Sequence, residues 1–243
     1  MESADFSGRF LGVLGGMGPL AGATFMTRLT LLTPAVIDQE HMPAILWSDP
    51  RVPGRPAAYA NQGEDPLPWM LNGINHLEAA GAQCIVIPCN TAHLWFDALV
   101  QQARVPILHI VDAVINNLRQ QGVYDGPVGL LATAVTVEFQ LYQPLLEAQG
   151  YECVLLKPSE MADYCTVPIE LVKRNQIEAA YQALAPGIRL LCERGGAQAV
   201  ILGCTELPLA LAQPLRGQWG VPIVDSIDAL ALAAIQWWSD ENR

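Results

Sequence analysis

Short apolar runs alternate with longer amphipathic stretches along the chain. The runs at 10–14, 84–87, 107–110, 128–131, 154–156, 199–202 and 222–224 are rich in Val, Ile and Leu, with Gly, Pro or polar residues at their ends. Their apolar character is continuous, which suits strands buried on both faces of a parallel sheet. Between them, 71–80, 169–193 and 227–238 place apolar residues at helical spacing. The alternation predicts an α/β fold of parallel sheets flanked by helices.

The chain also repeats itself. Residues 78–89, Glu-Ala-Ala-Gly-Ala-Gln-Cys-Ile-Val-Ile-Pro-Cys, align without a gap on 193–204, Glu-Arg-Gly-Gly-Ala-Gln-Ala-Val-Ile-Leu-Gly-Cys, and five of the twelve columns are identical. At a similar offset, 105–112 (Val-Pro-Ile-Leu-His-Ile-Val-Asp) matches 221–228 (Val-Pro-Ile-Val-Asp-Ser-Ile-Asp), and 11–16 echoes 128–133 more weakly. Three ordered matches predict two similar α/β lobes related by internal pseudo-two-fold symmetry. We place 1–114 plus 220–243 in the first lobe and 115–219 in the second.

Composition narrows the function. Of 243 residues, 51% are hydrophobic and 15% charged, with a formal net charge of -11. Such a surface argues against nucleic acid or an anionic membrane, since both need clustered Lys and Arg. It does not exclude an anionic substrate in a local basic pocket. The first ten residues carry two acids and no apolar core of an export signal. No apolar run reaches the ~20 residues of a membrane helix. Six cysteines without close pairing or a Cys-x-x-Cys do not form a secreted disulfide framework or a structural zinc site. These features point to a cytoplasmic protein without a metal.

Two cysteines stand apart. Cys89 and Cys204 occupy equivalent repeat positions, each directly after a predicted strand, where open parallel sheets bind ligands. Facing lobes would bring the two thiols into one cleft from opposite sides. Racemisation needs that arrangement: one group removes a proton from a tetrahedral carbon and the other delivers one to the opposite face. A thiol, with a free pKa of ~8.5, can serve as either acid or base. Asn90-Thr91 and Thr205-Glu206 precede renewed helical patterns, which predicts a helix N-terminus near each sulfur to favour thiolate and bind carboxylate. Cys84, Cys153, Cys165 and Cys192 read as buried small hydrophobes. His93, one turn past Cys89, allows a Cys–His hydrolase dyad, but capping or packing fits better, and His41 and His109 read as structural.

Gly15-Gly16-Met17-Gly18-Pro19, Pro88-Cys89-Asn90-Thr91-Ala92-His93 and Leu202-Gly203-Cys204-Thr205-Glu206-Leu207-Pro208 resemble, in order, the three signatures of the aspartate/glutamate racemase family. The similarity runs from residue 10 to about 238. Glu206 stands where glutamate racemases usually have His, which resembles the aspartate racemase branch. The resemblance implies an amino-acid racemase with two pseudo-symmetric lobes, no pyridoxal phosphate or other cofactor, a two-thiol mechanism and a homodimer. It also marks Arg55 and Lys173 as cations near the substrate. Met17 reads as a wall of the cleft, Thr133 and Thr136 as carboxylate-binding hydroxyls, and Asn90, Thr91, Thr205 and Glu206 as further binding positions after the two cysteines.

This chain departs from the family pattern in places. Gly54 and Pro56 flank Arg55 where Pro-Asp-Arg-Thr is common, and Val135 replaces a frequent Gly. These changes bear on the substrate more than on the reaction. Aspartate is the expected substrate, ahead of glutamate or a broader set. A single-cysteine isomerase or decarboxylase is a second enzymatic reading, disfavoured by the cysteine pair. A non-catalytic protein closing on a small acid is a third.

Overall fold

The computed structural model describes residues 9–240. The stretch 1–8, which carries most of the reading on an export signal, lies outside them. Strands β1 (Phe10–Gly15), β2 (Ala44–Ser48) and β3 (Ala82–Val86) form one parallel sheet in the order β2-β1-β3. Strands β4 (Gly126–Leu131), β5 (Tyr151–Leu155), β6 (Ala199–Leu202) and β7 (Ile223–Asp225) form a second, ordered β5-β4-β6-β7. All pairings are parallel. The shared order, with β1, β2 and β3 matching β4, β5 and β6, is what the repeat predicts.

The central strands were legible because they are buried on both faces. All of β6 is buried, as are the last five residues of β1 and the last four of β4. The edge strand β2 escaped the sequence reading; it is only half-buried. The expected strand at 107–110 shrinks to one bridge between Ile107 and Ile85, because a helix, Ile110–Gln120, begins there. The His109 ring accepts the Val111 N–H and caps that helix. At the matching repeat position, Asp225 Oδ1 accepts the Ile227 N–H at 2.7 Å and caps the helix Ser226–Asp240.

Two boundaries need correction. The predicted helix 169–193 is two helices, Val167–Lys173 and Ile177–Glu193, separated where Asn175 takes a left-handed φ of 59°. Asn tolerates that conformation better than most residues. The proposed lobe boundary also divides 220–243 differently. β7 joins the second sheet, while the Ser226–Asp240 helix packs against the first lobe's helices Pro19–Leu32 and Ile110–Gln120. A bidentate ion pair from Arg28 to Asp228, at 2.5 and 3.0 Å, fastens the first of these contacts. Among the described residues, no helix is long and apolar enough to cross a membrane.

Candidate active site

Four chain exits, from β1, β3, β4 and β6, supply Met17, Cys89, Thr133 and Cys204 at the carboxyl ends of the two sheets. At the first exit Gly16 has φ +90°, and a Cβ there would lie 2.3 Å from the Asp49 carbonyl oxygen. Only glycine allows the turn that presents Met17.

The exits enclose a cavity of about 60 Å³ lined by Met17, Arg55, Cys89, Asn90, Thr91, Thr133, Lys173, Cys204, Thr205 and Glu206, together with Pro56 and Ile169. Ten of the eleven expected site residues are therefore brought together. The exception is Thr136, which is fully buried and does not reach the cavity. Its hydroxyl lies 2.9 Å from Thr133 Oγ1 and 3.3 Å from Thr91 Oγ1, and so supports two residues that do. Pro56 and Ile169 were not foreseen, although Ile169 lies one helical turn before Lys173 and shares its face. A larger groove of about 440 Å³ lies beside Arg28, Arg216, Asp225 and Asp228. Its arginines are already paired with its aspartates, leaving little charge for a ligand.

The cations lining the smaller cavity are different. Neither Arg55 nor Lys173 forms an ion pair among the described residues. Arg55 donates Nη1 to the carbonyls of Val52 and Pro53 at 3.2 and 3.0 Å, while its Nε is buried without a hydrogen-bond partner. A buried, unsatisfied donor on a cation suits an incoming carboxylate. Arg55 starts the short helix Arg55–Tyr59, whose Tyr59 ring packs on Trp95 of the first lobe and Phe139 of the second.

The two thiols have unequal surroundings. Cys204 Sγ donates to Glu206 Oε2 at 3.1 Å, and Thr205 Oγ1 donates to the same oxygen at 3.4 Å. Burial, and next the Glu206 charge, push the Cys204 thiol well above its usual range. This reverses the expectation of a helix terminus favouring thiolate. The following helix, Leu207–Ala210, is a single turn and carries little dipole. Burial and the Glu206 charge both favour the protonated thiol at Cys204. Beside Cys89, the Asn90 amide is engaged: Oδ1 accepts from Tyr142 Oη at 2.5 Å and Nδ2 donates to Ser226 Oγ at 3.0 Å. Among the described residues, no three His, Cys, Asp or Glu side chains cluster as metal ligands would.

His93 is not part of a dyad. Its Nε2 accepts the Ile110 N–H at 3.2 Å, so Nδ1 carries the proton and donates to the Cys89 carbonyl at 2.9 Å. Burial pushes its pKa down to about 3, and the ring is neutral. A chain unfolded below pH ~6.5 gains a proton that the folded chain refuses. The stability from neutral His93 is therefore full above pH ~6.5 and lost as pH falls toward 3, at about 1.4 kcal/mol per unit. Urea titrations at pH 7 and pH 4 should show His93→Gln less stable than wild type at pH 7, with a shallower decline on acidification. Equal declines in the two proteins would assign the acid sensitivity elsewhere.

Cys89 and Cys204 thus share one cleft at the carboxyl ends of two like parallel sheets. The chain belongs to the Asp/Glu/hydantoin racemase family, whose model matches residues 14–234, and it is an amino-acid racemase. The aspartate racemase of Picrophilus torridus has a similar structure, with a TM-score of 0.83, 33% identity and coverage of 96% of this chain and 95% of that one. The aspartate racemase homologue PH1733 of Pyrococcus horikoshii aligns with a TM-score of 0.76 and 26% identity, over 95% and 99% of the two chains. In sequence, the broad specificity amino-acid racemase RacX of Bacillus subtilis is 26% identical over 93% of this chain and 96% of its own.

Proposed function

We propose that the protein is a cofactor-independent aspartate racemase in which Cys89 and Cys204 are the acid–base pair. The observation that carries this reading is one small cavity lined by both cysteines and by two cations without ion-pair partners. Two unpaired cations match the two carboxylates of an acidic amino acid. Similarity to the Picrophilus aspartate racemase supports the same choice. Likeness to RacX supports a wider set of amino acids as the second reading.

In the first half-reaction Cys89, as thiolate, takes the α-proton, and the C–H electron pair moves into the α-carboxylate held by a cation. The Cys204 S–H then delivers its proton to the opposite face, leaving Cys204 as thiolate and Cys89 as thiol. The reverse reaction starts from that state. Proton transfer comes from the thiols and charge stabilisation from Arg55 and Lys173, so no step needs a metal or organic cofactor. The reading extends to a cytoplasmic homodimer. All six cysteines are free, which suits a reducing compartment, and the dimer rests on the family resemblance.

Incubation with single L-amino acids in D₂O, followed by NMR and chiral chromatography, tests the reading. The expected result is racemic aspartate deuterated at the α-carbon, formed equally after exhaustive chelation and without pyridoxal absorbance. Binding of aspartate without exchange would instead mark a small-acid binding protein. Activity lost with metal removal and restored by metal would overturn the cofactor-independent mechanism.

A further inference from the structure

We infer that Tyr142 is a positioning residue that sets the two thiols against each other, its hydroxyl holding the residue after Cys89 and its ring packing on the residue before Cys204. The inference rests on the two-thiol reading above. Tyr142 is fully buried in the second lobe, immediately before the helix Gln143–Glu147. Its Oη donates to Asn90 Oδ1 at 2.5 Å, across 52 residues of sequence, and Asn90 directly follows Cys89. The Asn90 Nδ2 continues the chain to Ser226 Oγ at 3.0 Å, at the start of the last helix.

The other end of the side chain meets Gly203. A Cβ at that position would lie 3.3 Å from Tyr142 Cε2 and 2.7 Å from Leu130 Cδ1, so the ring stands, with Leu130, against the open side of the residue that leads into Cys204. The Gly203 N–H donates to the Leu131 carbonyl at 2.8 Å, which ties this exit to β4. One rigid aromatic side chain therefore spans from the neighbour of one cysteine to the neighbour of the other. Burial pushes its phenol far up, so Tyr142 remains a hydrogen-bond donor and takes no part in proton transfer. Asn90 gives the first-lobe loop a partner in each of two directions.

Inversion needs both thiols aligned on one carbon, whereas exchange of the α-proton with retention needs only one. Loosening the span should therefore harm inversion more than exchange. Tyr142→Phe keeps the ring on Gly203 and removes the bond to Asn90. With aspartate in D₂O, its kcat for racemisation should fall roughly tenfold to a hundredfold, the scale expected for a misplacement near 1 Å. KM should change far less, and the ratio of deuterium incorporated with retention to that with inversion should rise. Ser226→Ala, which frees the far side of Asn90, should move the ratio in the same direction with a smaller loss. The ratio does not depend on the amount of folded enzyme, so lost stability alone leaves it unchanged. An unchanged ratio in folded Tyr142→Phe, or in Ser226→Ala if Tyr142→Phe does not fold, overturns the inference. Wild-type enzyme that neither exchanges nor racemises aspartate would instead refute the functional reading on which it rests.

Discussion

Cys89→Ala and Cys204→Ala should each lower aspartate racemisation by at least a hundredfold, the lower end of what a positioned acid or base contributes. Each variant keeps one thiol, and inversion requires two. The double variant should be no worse than the poorer single one, because the pair acts as a unit. Circular dichroism of aspartate at fixed enzyme concentration, started from either enantiomer, gives the rates. The remaining thiol can still exchange the α-proton that faces it, so the two single variants should label opposite enantiomers. The unequal thiols refine the expectation. Cys204 is a thiol bonded to Glu206, so in the proposed mechanism Cys204→Ala removes the proton donor of the first half-reaction and Cys89→Ala its base. Racemisation at the wild-type rate in either variant would end the two-thiol mechanism.

Arg55→Ala and Lys173→Ala should reduce kcat/KM for aspartate by roughly tenfold to a hundredfold, as loss of a charge-assisted hydrogen bond worth ~1.5–3 kcal/mol implies. The larger loss belongs to Arg55, whose buried Nε has no hydrogen-bond partner among the described residues, while Lys173 is exposed at the end of its helix. Arg55→Lys should restore little, since an ammonium cannot reproduce the planar two-pronged contact. Thermal unfolding separates binding from folding. Arg55 contributes only two backbone contacts to its own loop, so its Tm should move little. Wild-type kinetics in both variants would remove these residues from substrate recognition.

Continuous apolar runs marked β1, β3, β4 and β6 because those strands are covered on both faces, and their ends are the places that carry the site. β2 is a half-covered edge, so burial left a weaker imprint on its sequence. The helix break before Ile177 depends on one backbone conformation, at Asn175, which helical periodicity does not encode. Within the site, both cysteines were marked by the repeat, and Arg55 and Lys173 by the family resemblance. The Thr136 hydroxyl lies behind the cavity lining rather than on it, and sequence shows a polar group but not whether it faces a cavity or its neighbours. Tyr142 and Ser226 left no mark at all. Their bonds to Asn90 join positions 52 and 136 residues apart, and no local pattern reports such a meeting.

The matched strand order has a consequence for what the cleft can hold. Arg55 lies in the connection from β2 to β3, and Lys173 in the equivalent connection from β5 to β6. The two cations thus come from corresponding connections of the two lobes, as the two thiols come from corresponding strand ends. During proton transfer the α-carbon becomes planar, with nitrogen, the α-carboxylate and the side chain in the plane. A two-fold axis along the bond to nitrogen swaps the two faces of that plane and, with them, the two remaining substituents. In aspartate both of these end in a carboxylate. In a monocarboxylic amino acid one of them would set an apolar group against a cation. On the proposed two-thiol reading, the arrangement that gives each face its own thiol therefore also offers each carboxylate its own cation.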